Sequence, residues 1–309
     1  MRMEMKENSD SRQGRGGRGG AQQTTLAHEY AVTVTNAPTA GKRGLEVELL
    51  SIEIEETMGG RTLLTYDSQN RVVGTGGNPA AEALARIVGG RIRYLLDASN
   101  RVIAEEGMND FLARANRPGT NNTAPGNRFG GGNRGFGGGG LVARQGGALD
   151  NFKQMLALSA LPQSEFRVGD TWPVQFEMSS GGGRPIVVSG TNLFRGWQEH
   201  ERKKCARIEF TGSIGGEQGT NSTPGGNFRG GRRGGMMMML NQGSISGICW
   251  LDPASGLPTE VSVEQALTRS GGFGGRGRQG TNGPPQSFTA QQRQTFSLKL
   301  IESTLLSAN

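Results

Sequence analysis

Apolar and charged residues alternate along much of this chain, and that period of two constrains its fold more than any other feature. Leu45-Glu46-Val47-Glu48-Leu49 alternates strictly, and Ile52-Glu53-Ile54-Glu55 does so again. Successive strand side chains point to opposite faces, so each run buries one face and wets the other. Leu49-Leu50 shifts the phase between the runs, as the extra residue of a β-bulge does. Similar stretches lie at Met1–Lys6, Leu26–Thr35, Arg61–Tyr66, Arg91–Leu96 and Arg101–Glu105 in the first half. The second half adds Thr171–Met178, Pro185–Arg195, Lys203–Ile214, Met239–Leu251, Thr259–Leu267 and Gln286–Glu302. These make about twelve strands.

Two segments change period. Asn78-Pro79 suits a helix N-cap and first turn, Ala81, Leu84, Ile87 and Val88 form a helical stripe, and Gly89-Gly90 stops it. Asp150–Ala160 reads as a second helix with Leu149, Phe152, Met155 and Leu156 on one face, ended by Pro162. Most connections are short, and short connections cannot join parallel neighbours. The expected fold is mainly β: one domain over 1–309, a curved antiparallel meander or half-barrel with two covering helices.

Glycine and positive charge are concentrated together. Four stretches lack Asp and Glu: Arg12–Gly20, Phe111–Leu149, Gln218–Leu251 and Gln265–Leu300. They hold 33 of the 53 glycines and 16 of the 34 Lys and Arg, leaving 18 cations against 27 anions elsewhere. The pI near 9.9 is therefore a property of Arg/Gly tracts attached to an acidic body. Low-complexity loops are expected over 11–23, 113–147, 215–238 and 269–286. In a simple meander, connections from odd to even strands emerge at one end. The first, third and fourth tracts should then share one rim with the Ser180–Arg184 loop.

The tracts interleave arginine with phenylalanine. Their candidate contact residues are Arg15, Arg18, Arg128, Phe129, Arg134, Phe136, Phe228, Arg229, Arg232, Arg233, Phe273, Arg276 and Arg278. They resemble the RGG boxes of RNA-binding proteins. Arginine pairs with phosphates and stacks on bases, and phenylalanine offers a stacking platform. Solvated insertions without a partner are the competing reading, because loop closure costs little more as loops lengthen.

No catalytic constellation is present. His28 falls on the apolar side of its strand and should be packed, whereas His200 lies in the charged run Gln198–Lys204 and should be solvated. His200 and Cys205 have no second Cys/His pair at metal spacing, so neither metal nor cofactor is expected. Gly243-Ser244-Ile245-Ser246-Gly247 lacks the central serine of a nucleophile elbow, and Gly74-Thr75-Gly76-Gly77 lacks the Lys of a P-loop. Glu46/Glu48 and Glu53/Glu55 are each expected on a solvated sheet face. Cys205 and Cys249 are equidistant from residue 227, so symmetric pairing about the third tract would put them opposite each other. A disulfide or two free thiols both fit. Met236–Leu240 would be strand-end core or an apolar lip for a greasy ligand. No stretch approaches the ~20 apolar residues of a transmembrane helix. Met1–Lys6 has strand alternation in place of an apolar targeting core.

Two blocks carry a resemblance. Phe166-Arg167-Val168-Gly169-Asp170-Thr171-Trp172-Pro173 and Asp252-Pro253-Ala254-Ser255-Gly256-Leu257-Pro258, with Tyr66-Asp67-Ser68 upstream, are similar to a bacterial family of exported β-rich domains with no assigned function. The resemblance implies a periplasmic, envelope or secreted location and supplies no catalytic residues; a cytoplasmic location is the alternative. The sequence thus reads as a non-catalytic binding or structural protein of the envelope. Its expected ligand is a lipid or other hydrophobic molecule in a curved-sheet cavity; binding of RNA, DNA or another polyanion through the tracts is the alternative.

Overall fold

In the computed structural model, twelve strands form one antiparallel sheet. Its description covers residues 2–13, 22–36, 41–70, 79–116, 149, 152–162, 165–178, 186–215, 240–273 and 286–302. The strands are β1 (Arg2–Gln13), β2 (Gln22–Asn36), β3 (Arg43–Met58), β4 (Arg61–Asp67), β5 (Arg91–Leu96), β6 (Val102–Glu106), β7 (Thr171–Met178), β8 (Ile186–His200), β9 (Lys203–Ile214), β10 (Leu240–Leu251), β11 (Pro258–Phe273) and β12 (Gln286–Glu302). Their order is β6-β5-β3-β2-β1-β12-β11-β10-β9-β8-β7, with β4 pairing β3 beside β5. The meander expectation holds, and β1–β12 pairing joins its two halves.

The bulge falls where the phase shift predicts. Tyr30 pairs Leu49 and Glu29 pairs Ser51, so Leu50 has no opposite residue. That interruption divides the edge of β3: β5 pairs Arg43–Glu48 and β4 pairs Glu53–Met58. Between them, Leu49 N–H donates to Gly90 C=O, and Gly89 N–H donates to Leu49 C=O. The two glycines ending helix α1 (Pro79–Ile87) thus plug the gap at the bulge. Gly89 adopts φ 74°, the left-handed conformation of a helix stop.

Helix α2 (Met108–Asn116) corrects the expectation of two helices. It occupies the start of the second tract, where Phe111 is buried and Arg114 Nη1 donates to Gly89 C=O at 3.2 Å. A third helix, α3, covers residues 152–158. The glycine-rich loops are also shorter than the sequence suggests. β1 runs to Gln13, β2 starts at Gln22, β11 runs to Phe273 and β12 starts at Gln286. Backbone ladders need only N–H and C=O groups, so pairing continues into polar and glycine-bearing sequence. Five tract cations, Arg12, Arg114, Arg269, Arg293 and Lys299, therefore stand on the frame.

Helix α3 shows how strongly the sheet curls. Lys153 Nζ pairs with Glu105 of β6 at 3.1 Å. Asn192 Nδ2 of β8 donates to Leu158 C=O, and Trp172 Nε1 of β7 donates to Ala160 C=O just beyond the helix. β6 and β7 are opposite ends of the strand order. A two-turn helix reaches both only if the sheet wraps around it. Phe152 is the hub, with its ring 5.2 Å from Tyr30 and 6.2 Å from Tyr94. All three rings are fully buried.

A second contact confirms the wrap. Arg43 Nη1 of β3 donates to Ser255 C=O in the β10–β11 turn at 2.6 Å. Four strand spacings separate β3 from β11, about 19 Å in a flat sheet. Arg43 Nη2 also donates to Asn100 Oδ1 in the β5–β6 turn, whose Nδ2 donates to Gly256 C=O at 2.8 Å. Burial with neutral acceptors holds the Arg43 pKa below its ordinary value. One arginine thereby clamps two turns and closes one end of the half-barrel.

Candidate functional site

The opposite end is the rim. Gln22 pairs Met58, Ser11 pairs Gln22 and Gln13 pairs Ala290. Phe273 pairs Gln286, Leu240 pairs Ser270, Ile214 pairs Gly243 and Met178 pairs Ile186. In this antiparallel order all those termini lie at one end of the sheet. The strand ends flanking the first, third and fourth tracts, and those flanking 179–185, therefore share one rim as connectivity parity predicts. The second tract leaves from α2 and returns at α3, so strand order does not place it in that group.

Arg15, Arg18, Arg128, Phe129, Arg134, Phe136, Phe228, Arg229, Arg232, Arg233, Arg276 and Arg278 lie outside the described residues. So do Met236–Met239. Phe273 is the last residue of β11.

The inner face of the sheet changes character toward the rim. Residues paired across strands share a face. One register row runs through Val263, Phe296, Glu7, Leu26, Ile54 and Tyr66, and its five apolar residues are all buried. The next row carries Gln265, Gln294, Thr24 and Glu56. Gln265 and Glu56 are buried there, and Gln22 Nε2 donates to Glu56 Oε1. The interior is apolar below and amide- and carboxyl-lined at the mouth.

Within the apolar part, the best-formed cavity among the described residues has a volume of about 10 Å³ and lies between α3 and β7, β10, β11 and β12. That is room for one water, against the roughly 300–1,000 Å³ of a ligand pocket. Phe152, Met155 and Leu158 of α3 are buried in the core that fills this interior.

The cysteines depart from the symmetric arrangement. Ile214 opposite Gly243 centres the hairpin between residues 228 and 229, so Cys249 faces Ile208 and not Cys205. Both thiols are buried and free. Desolvation pushes the Cys249 pKa up to about 12 and also raises that of Cys205, whose Sγ lies 3.9 Å from Thr259 Oγ1.

His28 is packed as expected, 1 % exposed and stacked on Tyr30 at 5.8 Å. Glu46 and Glu48 face outward and share Arg91, at 3.4 and 2.9 Å. His200 overturns its expectation of a solvated turn residue. Its ring lies parallel to Trp250, 3° apart in plane and 4.3 Å between centroids. Its Nε2 is 3.0 Å from Glu260 Oε2 on β11. The next residue, Glu201, has φ 49° in the β8–β9 turn and pairs with Lys299 Nζ of β12 at 2.7 Å. The Lys299 hydrogen bond holds the Glu201 carboxyl below its ordinary pKa, and Glu201 raises Lys299 in return. A bulge between Phe194 and Gly196, with Gly196 at φ 118°, precedes this end of β8. The hairpin tip thus reaches across the outer face to β10, β11 and β12. Arg207 lies 5.6 Å from the Trp250 ring.

Local spacing could not reveal this cluster: Glu260 is 60 residues from His200. The usable sign was a histidine and a glutamate side by side at a tight turn. The ligand atoms of His200, Glu201 and Glu260 all lie within 4.8 Å of one another. No helix among the described residues is long and apolar enough to cross a membrane. No protein-family model and no curated protein matches the chain.

Proposed function

We propose that the protein is a non-catalytic binding module that captures polyanions, single-stranded nucleic acid foremost, with the Arg/Gly loops of its rim. The supporting observation is topological: strand ends flanking three separate tracts lie at one end of one sheet. Each tract alone is short and weak. Tethering several to one scaffold makes each later contact intramolecular and multiplies affinity. The first, third and fourth tracts supply seven arginines: Arg15, Arg18, Arg229, Arg232, Arg233, Arg276 and Arg278. Phe228 and Phe273 add faces on which bases stack. The buried Glu56 carboxyl at the mouth disfavours phosphate inside the barrel, so binding belongs to the loops. The filled interior favours this reading over a lipid carrier. An envelope or secreted location is proposed on the resemblance of the Phe166–Pro173 block.

Fluorescence anisotropy with a single-stranded 20-mer tests the proposal. With seven phosphates neutralised, affinity should fall about 10³-fold between 50 and 200 mM salt. Changing the seven arginines to serine should abolish binding at 50 mM. Absence of binding by the unaltered chain, or equal binding after the change, refutes the reading.

A further inference from the structure

We infer that His200, Glu201 and Glu260 form a site for one divalent transition-metal ion of the Zn²⁺ type at the tip of the β8–β9 hairpin. One imidazole nitrogen and two carboxylates suit a borderline ion, with exposed positions left for water. Two ligands held about 2.1 Å from a tetrahedral ion stand about 3.4 Å apart. His200 Nε2 and Glu260 Oε2, 3.0 Å apart, need to open by only a few tenths of an ångström to admit it. Glu201 completes the set within 4.8 Å, so closure needs only a side-chain adjustment.

Three features prepare the site. Trp250 fixes the His200 ring plane by parallel stacking, so Nε2 stays directed at Glu260. The three residues come from β8, the β8–β9 turn and β11, so an ion would pin the hairpin tip to the sheet. The Lys299 ammonium also occupies the Glu201 carboxylate, which is a cation already held where a cation is required. Lys299 must yield Glu201 for the ion to take three protein ligands. The lysine and the metal therefore compete, and this sets the site apart from adventitious binding to surface carboxylates. A histidine ligand disfavours Mg²⁺ and Ca²⁺, which prefer all-oxygen shells.

Calorimetric titration of the full chain with Zn²⁺ near neutral pH is the test. One equivalent should bind, with Mg²⁺ in excess having no effect. His200→Ala and Glu260→Gln should each weaken binding at least about tenfold. Lys299→Met should tighten it several-fold, and this variant leaves all three ligands in place. Zn²⁺ should also raise the melting temperature of the unaltered chain and not that of His200→Ala. No binding by the unaltered chain, undiminished binding by His200→Ala or Glu260→Gln, or weaker binding by Lys299→Met would each overturn the assignment.

Discussion

The two ends of the half-barrel are built on opposite principles. At the closed end the turns are short and tied together. Asp97 Oδ1 accepts from Ser99 N and Arg101 N, Asp252 Oδ1 accepts from Ala254 N, and Arg43 joins both turns. Leu161 N–H donates to Ser99 C=O, which ties the segment after α3 to the same end. At the rim the strands run on as hairpin arms and hand over to long glycine-rich connections. The comparison teaches that, among the described residues, the clamps between turns gather where the sheet closes. The other end can then accept insertions and carry arginines without disturbing the fold. Closure entropy grows only logarithmically with loop length, so the rim can lengthen at little cost.

The largest expected effect probes the closed half through Cys249. Its raised pKa, about 12 against an ordinary 8.5, lowers the thiolate fraction at pH 8 by about 10³-fold. Burial then slows alkylation further. Iodoacetamide should modify the native chain only through opening of β10, and at full rate in denaturant. Fast native labelling of Cys249 would show that the closed end is not closed. The same shift has a pH consequence. The folded chain keeps the thiol proton after the unfolded chain has lost it, so stability is intact below about pH 8.5. It falls as pH rises toward about 12, by up to about 1.4 kcal/mol per pH unit. Cys249→Ala should flatten the alkaline slope in denaturant titrations; an unchanged slope would put the alkaline loss elsewhere.

Next in size is the hub of the wrap. Phe152→Ala removes the ring between Tyr30 and Tyr94 and should cost about 3–5 kcal/mol in urea unfolding. A loss under about 1 kcal/mol would mean that α3 is not what the sheet closes around. Arg43→Leu leaves the Asn100 and Gly256 acceptors without their guanidinium donor at the closed end. It should cost about 1–3 kcal/mol. Arg43→Lys should recover only part of that, because one ammonium cannot match the planar fork.

The sequence exposed the frame because the frame is periodic. Alternation or β-type enrichment identified all twelve strands, and the phase break at Leu49-Leu50 identified the bulge at Leu50. Strand parity then located the rim without any side-chain information. What stayed hidden depends on contacts between distant segments. Helix α2 carries Met108, Phe111 and Leu112 at helical spacing, but it is only nine residues long and opens the glycine-rich second tract, whose composition masks the stripe. The cysteine register turned on where β9 and β10 stop pairing, which a long polar connection does not encode. The His200 site needed a bulge, a turn and a partner three strands away in the sheet order. Only the folded hairpin tip assembles these. The candidate residues of the tracts were legible as composition, and the strand ends that flank three of those tracts share the rim that connectivity parity predicts.

The smallest expected effect is the sharpest test of the contrast between the ends. If the rim connections are thermodynamic passengers, shortening the 215–239 connection by half should stabilise the fold by only about 0.6 kcal/mol, the gain from reduced closure entropy. The same deletion removes Arg229, Arg232 and Arg233 and lowers the number of phosphates the rim can neutralise. The salt slope of single-strand binding should then decrease by about 2, at 0.7 per phosphate contact. Stability and binding should therefore move in opposite directions, one slightly up and the other markedly down. A destabilisation of several kcal/mol would place the third tract inside the structural frame. An unchanged salt slope would remove it from the binding surface. Either result would erase the division of labour that the clamped end and the open rim define.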